Sequence, residues 1–142
     1  MSAAVVGVLD TNTVVLVDRL DPKDLPGEPV ITAVTLAELS VGPLATTDEA
    51  ERAVRLVRLQ QVEATFEPLP FDAAAARAFG GVAASLRGSG RKTRARAFDA
   101  MIAAIAVAND LPVYTCNPRD FAGIDGLRVH AIRHPDQPVA PL

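Results

Sequence analysis

Apolar side chains run without a break from Val5 to Leu9 and stop at Asp10. A run with no polar alternation is the mark of a short strand buried on both faces, and Asp-Thr-Asn behind it reads as a turn or helix start. The stretch TNTVVLVDRL then carries a short helical pattern, DPKDLPGEP is turn-rich, and PVIT reads as a second short strand. Thr35 and Glu38 stand at the spacing of a capping box, which predicts a helix beginning at Thr35 with Glu38 in its first turn, ended by Gly42-Pro43. In TTDEAERAVRLVRLQQVEATF, Ala53, Leu56 and Val57, with Gln60 or Gln61, trace one stripe of an amphipathic helix, expected to face the core.

Further on, EPLPF is a short strand or extended connector, and DAAAARAFGGVAASLRG is a helix capped by Asp72 and weakened by Gly80-Gly81. GSGRKT follows as a loop. Between Asp99 and Asn109 there is no polar side chain, so this helix must be buried on nearly every side. LPVYTCN gives a strand, PRDFAGIDG a loop and LRVHAI a last strand, before a Pro-rich tail over 135–142.

Strands alternating with helices predict the α/β class: one domain over 1–134, a parallel sheet flanked by helices in a Rossmann-like three-layer α/β/α arrangement. In such a sheet the carboxyl ends of the strands and the amino ends of the returning helices share one edge. By that rule Asp10, Glu38, Asp99 and Asp120 collect there. Each alone reads as a cap or loop residue. Together they repel one another, and that repulsion calls for something positive among them. Oxygen donors without histidine or cysteine suit a hard cation, Mg²⁺ or Mn²⁺, of the kind that serves phosphoryl chemistry.

Composition narrows the setting. The chain has 142 residues, long enough for a core that needs no cross-links. The lone Cys116 excludes an internal disulfide, and with only His130 and His134 beside it no zinc site is expected. A cytoplasmic setting follows, since the first apolar run breaks too soon for a secretory signal and no later one reaches membrane-spanning length. The formal net charge of −3 argues against nucleic-acid binding by bulk electrostatics. Locally the balance reverses: between Asp72 and Asp99 no acid occurs, while Arg77, Arg87, Arg91, Lys92, Arg94 and Arg96 do. Taken alone this is a solvated loop. Beside an acidic site, Arg91, Lys92, Arg94 and Arg96 become a basic lip for an anionic backbone.

The ordered set LDTN, TLAEL, AFDAMIAAIA and VYTCNPRDF, spread over nearly the whole chain, resembles the PIN-domain family, and within it the VapC-type toxins of bacterial toxin–antitoxin pairs. The resemblance implies a Mg²⁺- or Mn²⁺-dependent endoribonuclease, with Asp10, Glu38 and Asp99 matching the family's metal-site acids. Many relatives carry a further acid directly after a Thr-Arg pair. Here the run is Thr115-Cys116-Asn117, with Asn117 offering a neutral oxygen and Asp120 three residues on as a substitute. On this reading Thr11 and Thr115 support ligands or phosphate. The resemblance also implies a cognate antitoxin and a homodimer. Two rivals are a PIN-like binding module that no longer cuts RNA and an aspartyl phosphotransfer domain. The second lacks both a nearby second Asp and the later lysine a receiver needs.

Overall fold

The computed structural model of the protein describes residues 4–92 and 96–137. Among these, four parallel strands form one sheet: β1 (Val6–Leu9), β2 (Glu28–Val30), β3 (Val113–Thr115) and β4 (Val129–Ala131), ordered β2-β1-β3-β4. Strand β1 pairs with β2 on one side (Val6 with Glu28, Val8 with Val30) and with β3 on the other (Val8 with Val113). The order therefore reverses at β1, and the crevice between the carboxyl ends of β1 and β3 is the topological switch point where ligands of such sheets bind.

Five α-helices accompany the strands among the described residues: α1 (Thr11–Leu16), α2 (Ala33–Val41), α3 (Glu49–Thr65), α4 (Ala73–Gly88) and α5 (Ala97–Ala108). The unbroken apolar run of β1 is explained by two cores. Val8 joins α4 and α5 on one face, while its neighbour Leu9 joins Val14 of α1 and Val62 of α3 on the other. Successive side chains of a strand point to opposite faces, so a strand between two helical layers must be apolar at every position. The three-layer α/β/α arrangement expected from the sequence is the one observed.

Gly7 stands within that run because the Tyr114 ring lies across it: a Cβ there would stand 2.6 Å from the ring carbons. Tyr114 in turn stacks on His130 of β4, with ring centroids 4.5 Å apart. Helix α5 is as buried as its sequence demands, with Ile102, Ala103, Ala104, Ile105 and Ala106 all at zero exposure. Its alanines let α4 approach closely, and α4 starts where Asp72 accepts the Ala75 N–H at 3.0 Å.

Three expectations need correction. Helix α2 is capped by Thr32, whose hydroxyl accepts the Thr35 N–H, so the helix starts three residues earlier than the capping box implies and Glu38 lies in its second turn. The strand ends early as well, at Val30, and EPLPF is an extended connector whose Leu69 bridges Thr32. The stripe on α3 is not core. Val54, Leu56 and Val57 are exposed, and Val62 is the residue this helix buries fully. Packing on the sheet uses the C-terminal end of α3, leaving the middle of its apolar face beside α1 as an open groove of about 810 Å³ lined by Val14, Val17, Val54, Val57 and Phe66.

At the other end of the chain, Asp136 accepts a hydrogen bond from Arg19 at 2.6 Å. That ion pair, and the opposite charge of Arg19 beside it, hold the Asp136 carboxyl below the usual range. No helix among the described residues is long and apolar enough to cross a membrane.

Candidate functional site

The acidic edge is built from four separate elements. Asp10 stands at the N-cap position of α1, directly after β1; Glu38 lies in α2; Asp99 lies in the first turn of α5; and Asp120 lies in a short 3-10 turn, Pro118–Phe121, behind β3. Burial is the largest influence on Asp99, and the charges of Asp120, Asp10 and Glu38 follow in that order. Together they raise its pKa from 3.8 to about 6, against the opposing charge of Arg96. One residue therefore feels the other three acids, although the four are spread over 110 positions of sequence.

Asp10 differs from Asp99 in its surroundings. It is only 1% exposed, and burial pushes its carboxyl upward, opposed by hydrogen bonds from Thr13, Thr115 and local backbone N–H groups. The Thr13 hydroxyl donates to Oδ1, and the Thr115 hydroxyl donates to Oδ2 at 3.1 Å. Both threonines are fully buried.

Glu38 is held by a chain of hydroxyls. Thr11 Oγ1 donates to Glu38 Oε1 at 2.7 Å and lies 2.9 Å from Thr35 Oγ1. A hydroxyl has one proton, and that of Thr11 goes to the carboxylate, so Thr35 donates to Thr11. Asp120 is paired with the Arg96 guanidinium. Asn117 sits between β3 and the 3-10 turn, partly buried, with its backbone N–H bonded to Thr115 Oγ1 at 2.9 Å.

Among the described residues no three acid, histidine or cysteine side chains converge into a ready-made metal cage. Two of the four acids are engaged elsewhere, Glu38 with Thr11 and Asp120 with Arg96. The donor set nonetheless fits a hard cation: it is all oxygen, the charges of the other three raise the proton affinity of Asp99, and a residue-borne cation, Arg96, already sits against it.

The basic lip is uneven. Lys92 is exposed, Arg96 is committed to Asp120, Arg91 is partly buried with its Nη1 lacking a hydrogen-bond partner among the described residues, and Arg94 lies outside them. A second source of positive charge comes from α3. Arg55 and Arg58 line a small cleft of about 210 Å³ together with Thr11 and Glu38. Arg55 is tied to Glu51 and to the Gly42 carbonyl. The larger α1–α3 groove is apolar and holds none of the four acids.

Thr13, Thr35, Arg55 and Arg58 were not legible as site residues. For Thr13 a signal existed, since it stands three residues after Asp10 and returns to it over one helical turn.

A parallel sheet in the order β2-β1-β3-β4, flanked by helices on both faces, defines a Rossmann-like three-layer α/β class. The PIN domain family model matches residues 5–127, and the chain belongs to the PIN-domain family. It is 42% identical over 123 residues to Ribonuclease VapC5 of Mycobacterium tuberculosis, covering 84% of this chain and 88% of that protein. It is 34% identical over 115 residues to Ribonuclease VapC4 of the same organism, covering 80% and 85%. Among solved structures it is similar to VapBC-5 from Mycobacterium tuberculosis, a member of the VapBC family of toxin–antitoxin systems. That likeness has a TM-score of 0.77 at 42% identity, over 91% of this chain and 98% of the other.

Proposed function

We propose that the protein is a Mg²⁺- or Mn²⁺-dependent endoribonuclease, the toxin of a toxin–antitoxin pair. The observation that carries this reading is the electrostatic contact of Asp99 with Asp10, Glu38 and Asp120 at the switch point of a PIN fold. Its relatives' names, ribonucleases both, supply the reaction class.

Asp10, Glu38 and Asp99 would hold the cation, with Asp120 or the Asn117 carbonyl completing the set. When bound, such an ion supplies Lewis acidity towards a phosphodiester and makes water acidic enough to attack near neutral pH. The chain's own residues do the rest. In the metal-free chain Asp99, with a pKa of about 6, carries its proton into the mildly acidic range, and it would give that proton up to hold the cation. Arg96 keeps Asp120 neutralised while no cation is present, and on release its guanidinium is free to meet a phosphate. Lys92, with Arg55 and Arg58 across the cleft, offsets the repulsion between an acidic site and an anionic RNA backbone. Thr11 and Thr35 fix the direction of the Glu38 carboxylate.

The apolar α1–α3 groove supports the partner half of the proposal. It would take an amphipathic segment of a cognate antitoxin, the similar VapBC-5 being a member of a toxin–antitoxin family. Val57→Glu should then weaken that complex without changing RNA cleavage by the free chain. A cytoplasmic setting and a homodimer belong to the same reading.

Cleavage of structured RNA by the purified, partner-free chain tests the activity. Cutting should require added Mg²⁺ or Mn²⁺, stop with EDTA and disappear in Asp99→Asn. Metal-independent cutting, or an unaffected variant, would refute the mechanism, and a complete lack of cleavage would favour the non-cutting binding module.

A further inference from the structure

Asp10 is held from two sides by hydroxyls whose own bonding fixes where their protons point. Thr115 Oγ1 accepts the Asn117 N–H at 2.9 Å and donates to Asp10 Oδ2. Thr13 Oγ1 accepts the Cys116 N–H at 3.1 Å and donates to Asp10 Oδ1. A threonine hydroxyl has a single proton, so once it accepts from a backbone N–H that proton is left for the carboxylate. Each oxygen of Asp10 is thereby assigned one hydroxyl donor, which fixes the plane of the carboxylate. The arrangement is sealed: Thr13 and Thr115 have no exposure, and Asp10 has 1%.

We propose that Thr13 is a positioning residue for the cation site, a strut that joins the Asp10 carboxylate to the backbone leaving β3. This rests on the metal-dependent reading above and adds to it a residue three positions along from Asp10 in the sequence Asp10-Thr11-Asn12-Thr13. Its place follows from local geometry. Thr13 is in the first turn of α1, and helical side chains lean towards the amino terminus, which aims its hydroxyl back at the N-cap position. The other end of the strut is Cys116, next to Asn117 and four residues before Asp120. Through Thr13, the loop carrying the last candidate ligands is fixed relative to the first one. Removing the hydroxyl frees the Oδ1 side of Asp10 and releases the Cys116 N–H, so both sides of the site lose their common reference.

The test is Mn²⁺ binding to the full chain, followed by the loss of the free-ion paramagnetic resonance signal, with folding checked by circular dichroism. Thr13→Val keeps the shape and removes the hydroxyl, and should lower Mn²⁺ affinity by about 10–100-fold, the usual effect of losing a group that orients a ligand. Thr13→Ser restores the hydroxyl and should restore affinity. Should Thr13→Val not fold, Thr13→Cys, which keeps volume but donates only weakly, replaces it with the same expected direction. Folded Thr13→Val or Thr13→Cys binding Mn²⁺ as wild type does would overturn the role of Thr13 and leave the metal-dependent reading standing. Failure of Thr13→Ser to recover affinity would also overturn it, since a merely structural methyl contact would then account for the loss. Wild-type chain that binds no Mn²⁺ would overturn the metal-dependent reading itself, and the strut with it.

Discussion

The two sides of the acidic edge bury a carboxylate in different company. On the sheet side, Asp10 is buried and receives a hydroxyl on each oxygen. On the helix side, Asp99 is half-buried, faces three other acids, and has Arg96 as its named opposing charge. The first environment fixes the orientation of a carboxylate that burial pushes up and hydroxyls partly offset, while the second adds the repulsion of three acids to the effect of burial. The difference teaches that one acidic edge can combine a carboxylate fixed by hydroxyls with one that feels its neighbours' charge, and that the two should respond differently to the same substitution.

The largest contrast is in activity against stability. Asp10→Asn and Asp99→Asn should each reduce RNA cleavage by about 10³-fold or more, since charge stabilisation by the metal is worth several kcal/mol and each tenfold is about 1.4 kcal/mol. Their urea midpoints should move apart. Asp10→Asn places an amide against a hydroxyl whose proton already points at it, and leaves buried groups unmatched at a cost of about 1–3 kcal/mol. Asp99→Asn removes a repelled charge and should raise the midpoint of metal-free protein at neutral pH. If both variants shift in the same direction, the two sides are not distinct.

Next in size is Thr115→Val. It strips one donor from Asp10 and one acceptor from the Asn117 N–H, and should destabilise the fold by about 1–3 kcal/mol in urea unfolding. The comparison is then sharpened by pH. Asp99 binds its proton more tightly when folded, at about 6, than when unfolded, near the ordinary 3.8. Across that window the native state takes up the extra proton, so metal-free stability should climb as pH falls from about 6 towards 4. Asp99→Asn should lack most of that climb, as read from urea midpoints at each pH with EDTA present. The smallest effect belongs to Arg96→Gln. Its pair with Asp120 is partly exposed, and losing it should cost no more than about 1 kcal/mol. Without that opposing charge the Asp99 titration should move to higher pH, measurable by NMR.

The parts of the fold that could be read from sequence are those where burial leaves no choice. The end of β1 and the stretch of α5 after Asp99 are apolar at every position because each is enclosed between neighbouring layers, and no partner is needed to explain them. Helix α3 shows where that reasoning stops. Amphipathy says that one face is apolar, but Leu56 and Val57 face solvent because only the end of the helix near Val62 reaches the sheet. The α2 start was misplaced for a similar reason. Thr32 and Thr35 are both competent caps, and the choice between them is made by Ile31 and Leu69, whose backbone bond holds the chain extended up to Thr32.

Within the site, strand–helix alternation was enough to bring Asp10, Glu38, Asp99 and Asp120 to one edge, because backbone topology decides it. Side-chain direction decides the rest. Thr13 and Thr35 become site residues only through where their hydroxyls point, and Arg58 only through the packing of α3 beside α2. Of these, only Thr13 leaves a trace in spacing, three residues after Asp10.

Mn²⁺ titration of the metal-free chain, read by the relaxation rate of water protons, addresses the shared site directly when run on wild type, Asp10→Asn, Glu38→Gln, Asp99→Asn and Asp120→Asn. The account predicts saturable binding by wild type and a marked loss in Asp10→Asn, Glu38→Gln and Asp99→Asn, three substitutions in three different elements. Binding that survives all three, or a wild-type chain that takes up no ion, would contradict it.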